Sequence, residues 1–206
     1  MQKLLSETDL DVCIEQQQQL IKFVFLLVKW NKIYNLTSVR DPNEMLIKHI
    51  MDSIVVSPYL KGKRLIDVGT GAGLPGLPLA ILNPDKQFLL LDSLGKRLKF
   101  IRQAVLELGL KNVKFVQSRV EKYQPDKKFD VILSRAFASL KDMLFCTEHL
   151  VNKKGFFLAL KGQFPDKELK KLDVNFIFMD NFQLTVPGLK ADRCLVKIKK
   201  IYLETK

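Results

Sequence analysis

Leu65-Ile66-Asp67-Val68-Gly69-Thr70-Gly71-Ala72-Gly73-Leu74-Pro75-Gly76-Leu77-Pro78-Leu79-Ala80-Ile81 is the stretch on which the reading of the fold turns. An apolar run breaks into a turn with glycine at every second position. That turn leads into an apolar, helix-like segment. Glycine accepts positive φ without steric cost, so the backbone of such a turn can approach a ligand closely. The helix behind it presents its first N–H groups to whatever the turn holds. The unit reads as the opening of a nucleotide-type binding site.

Downstream, strand and helix patterns alternate. Strands are expected at 64–68, 87–92, 113–117, 129–134 and 155–161, then at 176–179 with the chain after it to Val186, and at 194–201. Helices are expected at 75–82, 96–108, 140–151 and 165–172. The alternation implies a mostly parallel sheet covered by helices on both faces. No helix separates the last two strands, so they form an antiparallel pair or insertion at one edge. This is an α/β, Rossmann-like fold of the S-adenosylmethionine-dependent methyltransferase type, with seven strands, an antiparallel terminal strand and N-terminal helices. Upstream, 8–34 reads as an amphipathic helix capped by Thr8 or Asp9. A second helix, 43–56, has an apolar face of Ile47, Ile50, Met51 and Ile54, with His49, Asp52 and Ser53 on its other sides. A soft boundary near residue 61 divides a helical segment, 1–60, packed on the main domain, from a methyltransferase domain, 61–206.

The 206 residues carry 34 Lys/Arg against 22 Asp/Glu. The excess is uneven: residues 1–60 hold six against seven, and 61–206 hold 28 against 15. A basic domain points to an anionic partner, nucleic acid before membrane. The longest apolar stretch, 20–30, is interrupted by Lys22 and Lys29 and is too short to span a bilayer. The opening MQKLLSETDLD is acidic and polar and does not read as a signal peptide. Cys13, Cys146 and Cys194 are widely spaced, and with two histidines they build no zinc site at standard spacing. Reduced cysteines fit a cytoplasmic protein.

Two ligands compete for the glycine turn. Gly71-Ala72-Gly73-Leu74-Pro75-Gly76 matches the dinucleotide pattern G-x-G-x-x-G. Two positions earlier, Asp67-Val68-Gly69-Thr70-Gly71-Ala72-Gly73 matches the methyltransferase pattern. Asp67 favours the second, because an anion under the turn orients a ligand ammonium and gives nothing to a pyrophosphate. Gly69 begins the turn directly after the strand, and the terminal strand pair suits the methyltransferase fold better than a two-half dinucleotide fold. Asp92, nineteen residues after Gly73, can accept both hydroxyls of a ribose, which either nucleoside would offer. After the third strand, Val120 and Glu121 border the expected adenine pocket.

At the end of the fourth strand stands Ser134-Arg135-Ala136-Phe137-Ala138-Ser139. This position faces the transferred methyl. It lacks the N/D-P-P-aromatic turn of exocyclic amine methylation. It also lacks the nearby thiolate that cytosine C5 chemistry needs, Cys146 being about three helical turns on. Guanine N7 has an in-plane lone pair and no proton at neutral pH, so it requires alignment and no acid or base. Arg135 and Lys161 then hold RNA, or in the case of Arg135 the ligand carboxylate. Arg193 can join them, since arginine pairs bidentately with either anion.

The segments at 67–81, L-L-L-D-S-L-G-K-R at 89–97, S-R-V-E at 118–121, S-R-A-F-A-S-L at 134–140 and A-L-K-G at 159–162 recur together. With W-N-K-I-Y-N-L-T at 30–37 and H-I-M-D-S at 49–53, they closely resemble the ribosomal RNA small subunit methyltransferase G family, also called glucose-inhibited division protein B. The resemblance runs from about Trp30 to Ile201. It implies transfer of a methyl group from S-adenosylmethionine to a guanine N7 of 16S rRNA, in bacterial cytoplasm, by a protein without metal or membrane. It further implies ligand contacts at Gly69, Leu74, Val120, Glu121 and Arg135. Leu74 stands where many members have Phe, and Ala72 where some have Pro. A monomer is the default expectation. The alternatives are a small-molecule methyltransferase and a non-catalytic RNA-binding module of the same fold.

Overall fold

A computed structural model describes residues 1–202 apart from Ala136 and Ala138, so those two positions of the S-R-A-F-A-S motif lie outside the described residues. Seven strands form one sheet: β1 (Arg64–Val68), β2 (Gln87–Asp92), β3 (Val113–Gln117), β4 (Phe129–Ser134), β5 (Val151–Lys161), β6 (Phe176–Gln183) and β7 (Cys194–Lys200). Their order is β3-β2-β1-β4-β5-β7-β6. β1 to β5 are parallel, and β7 inserts antiparallel between β5 and β6. The insertion aligns Lys161 with Cys194, and Cys194 with Gln183.

The helices are α1 (Gln2–Leu5), α2 (Ile14–Tyr34), α3 (Pro42–Met45), α4 (Asp52–Ile54), α5 (Gly76–Leu82), α6 (Gly95–Leu108), α7 (Leu140–Thr147) and α8 (Asp166–Leu169). A π-helical turn, Leu46–Met51, joins α3 to α4. Strand alternation sends successive side chains to opposite faces. Leu65, Leu90, Leu133 and Leu158 enter a core beneath α2, α5 and α6; Ile66, Leu91, Ile132 and Phe157 enter another beneath α7. The N-terminal segment supplies Phe23, Leu27, Met45 and Ile50 to the first of these cores. Phe23 stacks on Phe100 of α6 at 6.0 Å between ring centroids. The glutamine-rich start of α2 is tied to its neighbours by polar contacts. Gln16 Nε2 donates to the Ile81 carbonyl at 3.0 Å, and Gln19 Nε2 to the Leu108 carbonyl at 2.8 Å. Both carbonyls belong to last helical turns, which lack intrahelical partners.

Four expectations need correction. The first long helix starts at Ile14 and not near residue 8, with Cys13 at its N-cap; the Gln16 side chain accepts the Cys13 N–H at 3.1 Å and closes that end. Thr8 turns back on the preceding segment, donating to the Leu5 carbonyl at 2.8 Å. The helix after β4 stops at Thr147, whose hydroxyl returns to Met143 O, and β5 begins four residues early where Val151 pairs with Phe129. The basic helix after β5 is confined to Asp166–Leu169. Most consequentially, His49, Asp52 and Ser53 are buried. The π turn shifts the residues after it around the axis relative to an α-helix, and polar partners meet the side chains: Thr37 for His49, Arg135 and Arg193 for Asp52, and the His49 carbonyl for Ser53.

Candidate active site

Strand order reverses between β1 and β4, and in open α/β sheets ligands bind in the crevice at the carboxyl ends of strands at such a reversal. The glycine turn, Asp92 and Arg135 all stand at that end. Gly69, Gly71 and Gly73 have φ of 70°, 60° and 77°. The Gly69 and Thr70 N–H groups donate to the Leu91 carbonyl at 2.9 and 3.1 Å, pinning the turn to β2.

Asp67 lies directly under the turn with no solvent exposure. Its Oδ2 accepts from the Thr70 hydroxyl at 2.7 Å and from the Gly76 N–H at 2.9 Å. Thus the first N–H of α5 is spent on Asp67. Its Oδ1 is buried without a hydrogen-bond partner. Burial pushes the carboxyl up to about 6, against the pull of those two donors and of Arg135. A buried carboxylate oxygen with no donor is costly, and it suits a ligand that brings one, such as an ammonium.

Asp92 is 2% exposed at the end of β2. Its Oδ2 accepts from the Gly71 N–H at 2.9 Å and from Arg97 Nη1 at 3.0 Å, and its Oδ1 accepts from the Leu94 N–H at 2.9 Å. These contacts fix the carboxylate's plane against the glycine turn. Arg97 was no candidate from the sequence, although it closes the D-S-L-G-K-R motif that begins at Asp92. Asp92, Gly69, Arg97, Val120, Glu121 and Phe137 line one open cleft of about 360 Å³. Val120 is buried there at the start of a 3-10 turn, and Glu121 is exposed beside it. Glu121 also acts on Cys146, whose thiol is pushed up by burial first and by that carboxylate second. Leu74 does not line this cleft. It is buried in the core beneath α2 and α5, behind the turn.

A second cleft, about 540 Å³, opens beside the first and brings together Arg135, Lys161 and Arg193. Sequence reasoning grouped all three as anion-holding residues but did not find the carboxylate between the two arginines. Their meeting point is Asp52, 4% exposed. Arg193 Nε donates to Asp52 Oδ1 at 2.6 Å and Arg135 Nη1 to Oδ2 at 3.3 Å. Lys161 is paired instead with Glu168 at 3.2 Å. His49 lines the same cleft; its Nε2 meets the Thr37 hydroxyl at 2.8 Å, and its pKa is lowered by burial first and the Arg135 charge second. Asp52 and His49 were missed as site residues because the helical pattern only set them off the apolar face of 43–56. H-I-M-D-S, already conspicuous as a motif, held the signal. The Arg135 charge acts on Asp67 as well as on His49, lowering the pKa of each.

Comparison with known proteins agrees with this architecture. The family model for rRNA small subunit methyltransferase G matches residues 16–196. A protein named ribosomal RNA small subunit methyltransferase G from Psychromonas ingrahamii is 70% identical over 98% of this chain and 97% of its own length. One of the same name from Actinobacillus succinogenes is 63% identical over 95% of this chain and 93% of its own. Among solved structures, the glycopeptide N-methyltransferase MtfA complexed with S-adenosyl-L-methionine aligns with a TM-score of 0.62 at 11% identity, over 74% of this chain and 95% of that one. The ribosomal protein L11 methylase of Lactobacillus delbrueckii subsp. bulgaricus aligns with a TM-score of 0.56 at 16% identity, over 74% and 77%. At such identities the structural likeness concerns the fold. Among the described residues, no helix is long and apolar enough to cross a membrane.

Proposed function

Since the chain belongs to the rRNA small subunit methyltransferase G family, we propose that it transfers a methyl group from S-adenosylmethionine to N7 of a guanine in 16S rRNA. The observation that carries this reading is the presence of two unlike clefts, one lined by the glycine turn and Asp92, the other by Arg135, Lys161 and Arg193. One offers the buried carboxylate of Asp92 and the exposed one of Glu121 to a nucleoside. The other offers guanidinium and ammonium groups to a polyanion.

S-adenosylmethionine, when bound, supplies an electrophilic methyl on a sulfonium. Asp67 Oδ1, unpartnered and buried, fits the donor's ammonium as an acceptor. Asp92, held by Gly71, Leu94 and Arg97, would accept ribose hydroxyls in place of its Arg97 contacts. Gly69 gives the donor close backbone approach, and Val120 offers an apolar wall to its adenine. The backbone at Val120 and Glu121 can read the adenine edge. Leu74 supports the turn from behind.

Guanine N7 attacks with its own lone pair, so the chain's task is to hold nucleophile, methyl and sulfur in line. Arg135 lines the cationic cleft, and its charge reaches Asp67 beneath the glycine turn. Arg193 and Lys161 face the RNA side. Positive charge passes from sulfur to the purine, and no oxyanion develops that would need its own donors. The N-terminal segment is read as a part of this site rather than an appendage, because Asp52 comes from it.

Transfer of labelled methyl to naked 16S rRNA and to intact small subunits, followed by primer extension after borohydride and aniline cleavage, tests the reading. A cleavage stop at one guanine is expected in the presence of the protein. An unchanged cleavage pattern in cells lacking it would overturn the proposal.

A further inference from the structure

Arg135 follows β4 and Arg193 precedes β7, so they are 58 positions apart in the chain. Both converge on Asp52 of α4, at 3.3 and 2.6 Å. The arginine side chains remain 28% and 27% exposed while the Asp52 side chain is 5% exposed. One carboxylate between two guanidiniums leaves a net positive centre, and Lys48 lines the same cleft. A guanidinium is a rigid plane of five donors, so fixing one donor sets the direction of the others. Two planes fixed by one carboxylate form a pair matched to a tetrahedral oxyanion, which accepts charge-assisted bonds from both.

We propose that Asp52 is a positioning residue for RNA: it holds Arg135 and Arg193 as one two-armed surface that grips a phosphate of the substrate. The proposal rests on the rRNA methyltransferase reading and extends it to the N-terminal segment, which carries the carboxylate that arms the site. It also predicts a sign that net charge does not. Removing Asp52 makes the cleft more cationic, and electrostatics without positioning would then tighten RNA binding. Positioning requires that binding weaken.

Filter binding of naked 16S rRNA to the full chain decides between them. Wild type, Asp52→Asn, Arg193→Lys and the double variant are compared, with equilibrium dialysis of S-adenosylmethionine and thermal unfolding on the same samples. Arg193→Lys keeps the charge and removes the Nε–H that Asp52 accepts. Each single variant is expected to lose about tenfold in RNA affinity. The double variant should lose no more than either single, because both changes break the same clamp. Cofactor affinity should stay within about twofold. Equal or tighter RNA binding by Asp52→Asn overturns the proposal, as do additive losses in the double variant. A fall in cofactor affinity in place of RNA affinity overturns it too, since the arginines would then serve the donor's carboxylate. Should Asp52→Asn unfold at the assay temperature, Arg193→Lys decides alone, and unchanged RNA affinity in it overturns the clamp. Wild-type methyl transfer to the same rRNA is scored separately; its absence with RNA binding intact counts against the reaction and leaves the clamp standing.

Discussion

Asp67→Asn probes the charge buried beneath the glycine turn. Asp67 has no solvent exposure, and burial raises its carboxyl from 3.8 to about 6. At 1.36 kcal/mol per pH unit, that interval corresponds to about 3 kcal/mol. The folded state holds the proton more tightly than the unfolded chain. Asp67 therefore stabilises the fold most below about pH 3.8, and the contribution is lost as pH rises through about 6. About 2 kcal/mol of that loss falls between about pH 4.5 and pH 8. Asparagine does not titrate. Its oxygen can still accept from Thr70 and Gly76, but its amide places a donor where Oδ1 lacks a partner. That mismatch costs about 1–3 kcal/mol at every pH. The stability advantage of wild type over the variant should hence shrink by about 2 kcal/mol across the window. Urea unfolding of both proteins at a series of pH values measures it. A difference that is flat in pH, or that grows as pH rises, would refute the placement of a strained, titrating carboxyl here. The same ionisation links to the ligand: wild-type S-adenosylmethionine affinity should rise by up to about tenfold from pH 5 to 7, as Asp67 gains the charge that faces an ammonium.

Three further outcomes follow from the geometry. Gly76→Ala puts a Cβ into Leu90 Cδ2 and 2.8 Å from Asp67 Oδ2; Leu90 is fully buried and cannot step aside, so chemical denaturation should show a loss of about 1–3 kcal/mol, accompanied by weaker cofactor binding in dialysis. Arg135→Ala should abolish methyl transfer to rRNA, while Asp52 keeps its 2.6 Å contact with Arg193; the melting temperature should fall by no more than about 4 °C, and wild-type activity in this variant would remove Arg135 from the site. Phe23→Ala empties a fully buried ring position against Phe100 and should cost about 3–5 kcal/mol in urea unfolding; a loss below about 1 kcal/mol would mean that α2 is not part of the core.

Much of this molecule was legible in its sequence because local rules dictated it. β1, β2, β3 and β4 occupy the expected residues, since short apolar runs between turn formers leave few alternatives. Gly109 ends α6 in the left-handed conformation that its position after Leu108 implied. Asp67 and Asp92 stood out because each sits at the end of a strand, one directly before the glycine turn and the other nineteen residues after Gly73. Boundaries failed where a distant contact set them. Residues 151–154 join β5 only because Phe129 and Asp130 lie beside them, and the N-cap of α2 depends on Gln16 reaching back to Cys13.

The sequence alone determined that a strand runs into a glycine turn with Asp67 beneath it and Asp92 at the end of the next strand, because that unit is contiguous or nearly so. Tertiary structure decided the rest of the site. Lys161 reads in the sequence as an RNA-holding cation and is paired with Glu168 in the fold. His49 and Asp52 read as the polar side of a helix and are buried. Arg135 and Arg193 read as separate basic residues and share one carboxylate. Helical periodicity shows which residues share a face, but not what covers that face. Here the end of β4, the entry to β7 and the start of α4 from the N-terminal segment meet at one point, and only that meeting brings the three scattered charges of Arg135, Arg193 and Asp52 together.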